Sequence, residues 1–216
     1  MSRFRIAVLA SGGGTNLQSI IDQQRAGTLD VDIALIISNN PDAGALRRAE
    51  QAGIAHACIN HRDYTSRRQF DQALVATLQQ ARVDLVVLAG FMRIISEVML
   101  TAFPQRIINI HPALLPAFPG LNVQQQALDY GVRFSGCTVH FVDGGVDTGP
   151  IILQAVVPVL PADNAETLAA RILEQEHKIY PLAIELIARG KVRIDGRQVI
   201  IDGGTSPTIS LINPAL

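Results

Sequence analysis

The stretch Phe4-Arg5-Ile6-Ala7-Val8-Leu9-Ala10-Ser11-Gly12-Gly13-Gly14-Thr15-Asn16-Leu17-Gln18-Ser19-Ile20-Ile21 decides the fold. It begins as a mostly apolar run over 4–10 and breaks at three consecutive glycines. It then resumes with Leu17, Ile20 and Ile21 at helical spacing, up to residue 24, and Gly27 fits the helix end. A strand, a glycine turn and a helix in this order open a βαβ unit. Such a turn leaves backbone N–H groups unpaired at a helix N-terminus, where they and the helix dipole form a small anion site. Thr15 and Asn16 would add side-chain donors; the alternative is a plain tight turn. A Walker loop is excluded because Lys is missing, and the dinucleotide fingerprint is broken where Leu17 replaces its last glycine.

The alternation continues outward from this unit. Residues 31–37 form a β-branched run suited to a strand buried on both faces. A turn at 39–42 leads to a helix over 43–51 closed by Gly53. A short strand at 55–59 precedes a helix over 65–81, with Phe70, Leu74 and Leu78 on one stripe. Residues 84–89 and 107–110 are the fourth and fifth strands. This pattern predicts a Rossmann-like α/β fold, a mostly parallel central sheet flanked by helices. The second half changes style. It predicts a short helix over 123–130 ending at Gly131, a strand at 137–142, a Gly/Asp turn, and a strand at 151–159. A long helix over 164–189 follows, with a kink at Pro181. A hairpin at 193–200 has Asp195-Gly196 near its turn, and an irregular tail closes the chain. No linker, repeat or low-complexity tract interrupts it. The expected organisation is one domain over 1–216: a nucleotide-binding-like half at 1–110, a catalytic half at 111–190, and the hairpin and tail at 191–216.

Composition narrows the function. With 48% hydrophobic and 17% charged residues, the chain has core material for a globular protein. A formal net charge of −1, few aromatics and no Trp argue against nucleic acid as partner. The N-terminus reads as a first strand rather than a signal peptide, and no apolar run approaches a membrane span, so a cytoplasmic protein is expected. Cys58 and Cys137, far apart and outside any Cys-x-x-Cys pair, read as two buried free thiols.

The chemistry-bearing residues gather at strand ends. In Asn109-Ile110-His111-Pro112, side chains two apart on a strand point the same way, at the carboxyl end where open α/β sheets bind ligands. Asn can donate to a developing oxyanion, and His can donate or take a proton. The bland alternative is a strand-end cap. The turn Asp143-Gly144-Gly145-Val146-Asp147-Thr148-Gly149-Pro150 supplies two carboxylates, one of which would approach His111 and stabilise its imidazolium; Asp is also an ordinary turn former. After the fourth strand, Gly90 and the bulky residues behind it offer backbone groups for a flat heterocycle, with Met92 and Ile94 lining its faces, or simply form a strand-to-helix turn. His140 reads as a strand residue or an outer donor, and His56 and His61 as surface or core residues. No metal-ligand spacing is present, so no metal is expected.

The motifs NIHPALLP, GCTVHFV and DTGPII, in this order, resemble the folate-dependent formyltransferase family, from about residue 4 to about residue 190. SGGGTNLQSII, LAGFMRII and QEHKIYP point to the branch that uses glycinamide ribonucleotide. The resemblance implies transfer of a formyl group from 10-formyltetrahydrofolate to the amine of 5-phosphoribosylglycinamide, in purine (IMP) synthesis. It implies Asn109, His111 and Asp147 as the catalytic set. Gly14, Thr15 and Asn16 would hold the substrate phosphate, and Glu176 the ribose hydroxyls. Arg67, Met92, Arg93, Ile94 and Ile95, with Asn109, would meet the folate. Partners are small molecules only, and a homodimer is compatible with this reading. Ala113, Ala117, Asn122 and Gln124 depart from the family's better-known bacterial pattern. The rival is a formyltetrahydrofolate deformylase, which resembles this fold and shares the Asn, His and Asp but normally carries a regulatory domain before the first strand.

Overall fold

The structure is a computed structural model and describes residues 3–205, 208 and 210–214. Strands β1 (Phe4–Leu9), β2 (Val31–Ser38), β3 (His56–Cys58), β4 (Leu85–Leu88) and β5 (Ile107–His111) pair in parallel, as β1 with β2 and β4, β2 with β3, and β4 with β5. Strands β6 (Phe134–Phe141) and β7 (Ile151–Pro158) pair antiparallel. Together they form a seven-stranded sheet in the order β3-β2-β1-β4-β5-β6-β7. The helices are α1 (Thr15–Arg25), α2 (Gly44–Ala52), α3 (Arg67–Gln80), α4 (Glu97–Ala102), α5 (Val123–Tyr130) and α6 (Ala165–Ala188). A two-stranded sheet of β8 (Val192–Asp195) and β9 (Gln198–Ile201) follows. The chain divides into two compact units, Met1–Asn109 with Phe141–Gly145, and Ile110–His140 with Val146–Leu216.

In the first unit, all four residues of β4 and the last four of β1 are buried, which is why these runs read as near-continuous apolar segments. Phe70, Leu74 and Leu78 of α3 are buried, as the stripe requires. Ser66 caps α3 by accepting the Gln69 N–H, and Gly53 closes α2 at φ 69°, a left-handed conformation that glycine adopts without a Cβ penalty. The strand order reverses between β1 and β4, so the carboxyl ends of these two strands flank the topological switch point. The third strand is shorter than its apolar run. It lies at the sheet edge, and Cys58 on it is exposed, not buried as expected: an edge strand of three residues has one uncovered face. Cys137 is buried as expected. Helix α4 has too few residues, with Met99 its buried one, to show a period in the sequence.

In the second unit, Ala127 of α5, Cys137 of β6, Val157 of β7, and Leu168 and Ile172 of α6 form one apolar cluster. Helix α6 starts with a capping box in which Asn164 and Thr167 exchange side-chain and backbone bonds, and Pro181 lies inside it. Asp195 pairs with Gln198, leaving Gly196 and Arg197 as a two-residue hairpin loop with Gly196 at φ 60°. In the tail, residues 206, 207, 209, 215 and 216 lie outside the described ones. Gly136 marks the tightest approach in this unit. A Cβ there would stand 1.9 Å from the Ala155 carbonyl oxygen and 2.8 Å from Leu114 Cδ2. Gly136→Ala must therefore part β6 from β7, an overpacking expected to cost about 3 kcal/mol and to lower Tm by roughly 6–12 °C. A thermal melt matching wild type would contradict this account of the strand pair.

Candidate active site

Chain exit from β5 is built by the sequence itself. Pro112 and Pro116 lack the N–H that a continuing strand or helix would use, so neither is favoured after His111. Two side chains of the second unit fix the turn that results. Thr138 donates through Oγ1 to the Ala113 carbonyl at 2.7 Å and accepts the Leu115 N–H at 3.0 Å. Gln154 Nε2 donates to the Leu115 carbonyl at 2.9 Å and to Thr138 Oγ1 at 3.0 Å. A network centred on the buried Thr138 and satisfied in this way holds the turn that follows His111.

His111, at the end of β5, is buried. Its Nε2 lies 2.8 Å from the Phe118 carbonyl, and its Nδ1 lies 3.3 Å from Asp147 Oδ2. Both neighbours are acceptors, so only the doubly protonated ring can donate to both. Asp147 Oδ2 also accepts the Gly120 N–H at 2.9 Å, and Asp147 Oδ1 lies 3.7 Å from Nε2 of the buried His140. Burial pushes the Asp147 carboxyl up. That is outweighed by the hydrogen bond from His140, the Gly120 N–H and the positive charge of the two histidines, and the carboxyl ends below the usual carboxylate range. Asp147 holds a left-handed backbone at φ 54°, which Asp tolerates better than most residues. Of the two carboxylates left open by the sequence, Asp147 is the one that pairs with His111. Asp143 accepts the Gly145 N–H at 3.1 Å and shapes its own turn. Asn109 lies two residues before His111 on β5, half-buried, and points to the same side of the strand.

In the first unit the Gly-rich turn leads into α1 with Gly14 at φ 73° and no side-chain cap. Its carbonyls are taken by α2: Gly12 O accepts the Ala45 N–H at 3.1 Å, and Gly13 O accepts Arg48 Nε at 2.7 Å. Thr15 is exposed and Asn16 is buried. After β4, Phe91 stacks on Phe70 with centroids 6.5 Å apart, and Asp71 Oδ2 accepts the Ser96 N–H at 2.7 Å. Between these anchors Met92 is 64% and Ile94 53% exposed, while Arg93 and Ile95 are half-buried. A cavity in this unit is lined by Ser11, Asn39, Asn60, His61, Met92 and Arg93, among others. Arg67 opens α3 with an exposed side chain. Glu176, on α6 of the second unit, is buried. Burial and then the Glu176 charge push the Cys137 thiol up to about 12, against a hydrogen bond from the Ala155 backbone, so this cysteine is not nucleophilic at neutral pH.

Three contributors carried little or no signal in the sequence. The Phe118 carbonyl and Gly120 N–H act through the backbone, where residue identity says nothing. Arg48 binds a carbonyl from a helix with no motif. His140 was visible as a histidine on an alternating strand, and the structure brings it to Asp147. Among the described residues no group of three or more His, Cys, Asp and Glu could hold a metal ion.

Comparison with known proteins gives consistent neighbours. The formyl transferase family model matches residues 4–184. The chain is 44% identical over 209 residues to the phosphoribosylglycinamide formyltransferase of Haemophilus influenzae, covering 97% of this chain and 99% of that one. It is 50% identical over 194 residues to the trifunctional purine biosynthetic protein adenosine-3 of Drosophila melanogaster, covering 89% of this chain but spanning only 14% of that protein's length. The crystal structure of glycinamide ribonucleotide transformylase 1 from Symbiobacterium toebii superposes with a TM-score of 0.91 at 56% identity, covering 92% of this chain and 94% of that one.

Proposed function

Because the chain belongs to the formyl transferase family, we propose that it transfers a formyl group from 10-formyltetrahydrofolate to the amine of 5-phosphoribosylglycinamide, a step of purine biosynthesis. It does so as one formyltransferase domain. The observation that carries the reading is the contact of the buried His111 with the half-buried Asp147, Nδ1 to Oδ2 at 3.3 Å, with Asn109 two residues before His111 on β5. Attack of the amine on the formyl carbon forms a C–N bond and puts negative charge on the formyl oxygen. Asn109 and His111 donate to that oxygen. Collapse breaks the bond to the folate nitrogen, which takes a proton from the His111 imidazolium. The proton lost by the amine passes through water to Asp147; Asp147 then releases it to solvent as Nε2 of His111 takes one up, which restores the pair and balances protons over the cycle. Nδ1 faces Asp147, which leaves Nε2 for the substrate; it is held by the Phe118 carbonyl until a ligand replaces that acceptor.

The ribonucleotide phosphate is assigned to the Gly-rich turn with Gly14, Thr15 and Asn16, and its ribose to Glu176. The folate is assigned to Met92, Arg93, Ile94 and Ile95 with Arg67. Gly14→Val is expected to raise KM for the ribonucleotide at least tenfold. A β-branched residue is strained at φ 73°, and its Cβ would meet Ala45 Cα and Cβ at 3.0 Å. Binding of a folate analogue without ribonucleotide is expected to stay as in wild type; an unchanged ribonucleotide KM would contradict the phosphate assignment. No helix among the described residues is long and apolar enough to cross a membrane, and we place the reaction in the cytoplasm. One assay separates transferase from deformylase. Loss of formyl from 10-formyltetrahydrofolate that requires the ribonucleotide supports the proposal, and loss to water alone overturns it.

A further inference from the structure

We infer that Ser11 is a positioning residue whose hydroxyl couples the Gly-rich turn to the loop after β4, so that filling one substrate site sets the other. The inference rests on the assignment of ribonucleotide and folate to these two loops. Ser11 stands at the switch point, directly before Gly12. Its N–H donates to the Gly90 carbonyl at 3.0 Å, and its Oγ accepts the Met92 N–H at 2.8 Å. The hydroxyl proton goes to Oδ1 of the buried Asn39 at 2.6 Å. With that oxygen engaged, the Asn39 amide presents Nδ2 toward His61 Nδ1 at 3.1 Å, and the same ring nitrogen lies 3.1 Å from the Asn39 carbonyl.

The directions at the Ser11 hydroxyl are fixed: Met92 N–H donates to Ser11, and Ser11 O–H donates to Asn39. The hydroxyl therefore cannot rotate away from Met92 without leaving Asn39 Oδ1 without its donor. The far end of the same loop is held elsewhere, by Asp71 of α3 accepting the Ser96 N–H. The loop is thus anchored to a helix at Ser96 and to the Gly-rich turn at Met92. A phosphate that draws the turn into a new position moves the Met92 end and leaves the Ser96 end in place. Met92 and Ile94, the exposed apolar side chains in between, are the ones that would be re-aimed.

Coupling of this kind is reciprocal and is read as a ratio of affinities. An unreactive folate analogue is titrated with and without glycinamide ribonucleotide, on wild type, Ser11→Ala and Ser11→Thr. In wild type the ribonucleotide tightens the analogue. In Ser11→Ala the analogue alone binds about fivefold more weakly, the scale of one lost hydrogen bond, and the ribonucleotide no longer changes its affinity. Ribonucleotide binding alone is retained. Ser11→Thr, which keeps a hydroxyl, restores the coupling. A merely structural role would lower Tm without abolishing the ratio. Wild-type coupling in Ser11→Ala, with formyl transfer intact in wild type, overturns the role of Ser11 alone. Absence of formyl transfer in wild type overturns the functional reading, and the inference with it.

Discussion

Asp147→Asn is expected to lower kcat for formyl transfer by about 10²–10⁴-fold, the contribution typical of a positioned acid–base group, and to leave KM for both substrates nearly unchanged. Asn has the shape of Asp and can still accept the Gly120 N–H that the carboxylate now accepts at 2.9 Å. It lacks the charge. His111 at 3.3 Å and His140 at 3.7 Å then face a neutral amide, so an imidazolium formed at His111 during the reaction has no counter-ion. The proton path from the amine ends at a group that cannot take it. These losses fall on the transition state, not on the bound substrates, which is why kcat carries the effect. Asp143→Asn is the control. Asp143 serves its own turn by accepting the Gly145 N–H, and Asn forms that turn equally well, so steady-state rates should match wild type. A crippled Asp143→Asn beside an active Asp147→Asn would reverse the assignment.

Asn109→Ala is expected to cost about 10²–10³-fold in kcat, the effect of removing one oxyanion donor. The amide sits two residues before His111 on β5, so the rigid strand fixes the spacing of the two donors before substrate arrives. Removing it leaves His111 and Asp147 in place, and the residual rate should keep the wild-type pH profile. Asn109→Asp should be at least as damaging as the alanine variant, because a carboxylate repels the developing charge. Kinetics on the two variants decide it: if Asn109→Asp retained more activity than Asn109→Ala, Asn109 would not be donating to an oxyanion.

The parallel strands were readable because both faces are buried: β1 and β4 spell their environment in unbroken apolar runs. Helix α5 was readable for a different reason, its closure at Gly131 in a left-handed conformation. Asn109 and His111 could be paired from spacing alone because one strand carries both. His111 and Asp147 could not, since strands β6 and β7 and their turns decide which carboxylate arrives; residue type alone left Asp143 and Asp147 equivalent, and the family resemblance singled out Asp147. Backbone donors and acceptors such as Gly120 N–H and Phe118 O have no residue-type signature at all. Cys58 misled because an apolar run at a sheet edge looks the same as one in the middle. The Ser11–Asn39–His61 chain links segments that are adjacent only once β1, β2 and β3 are laid side by side.

On the proposed function, His111 and Asp147 together move a formyl group between two small molecules. The most direct measurement follows the carbon itself. Folate carrying a ¹³C-labelled formyl group is mixed with glycinamide ribonucleotide and protein, and the label is tracked by NMR. The account predicts that the label appears as a formamide on the ribonucleotide with wild type, and stays on the folate over the same time with Asp147→Asn. Label released as formate when no ribonucleotide is present, or transfer by Asp147→Asn at the wild-type rate, would contradict it.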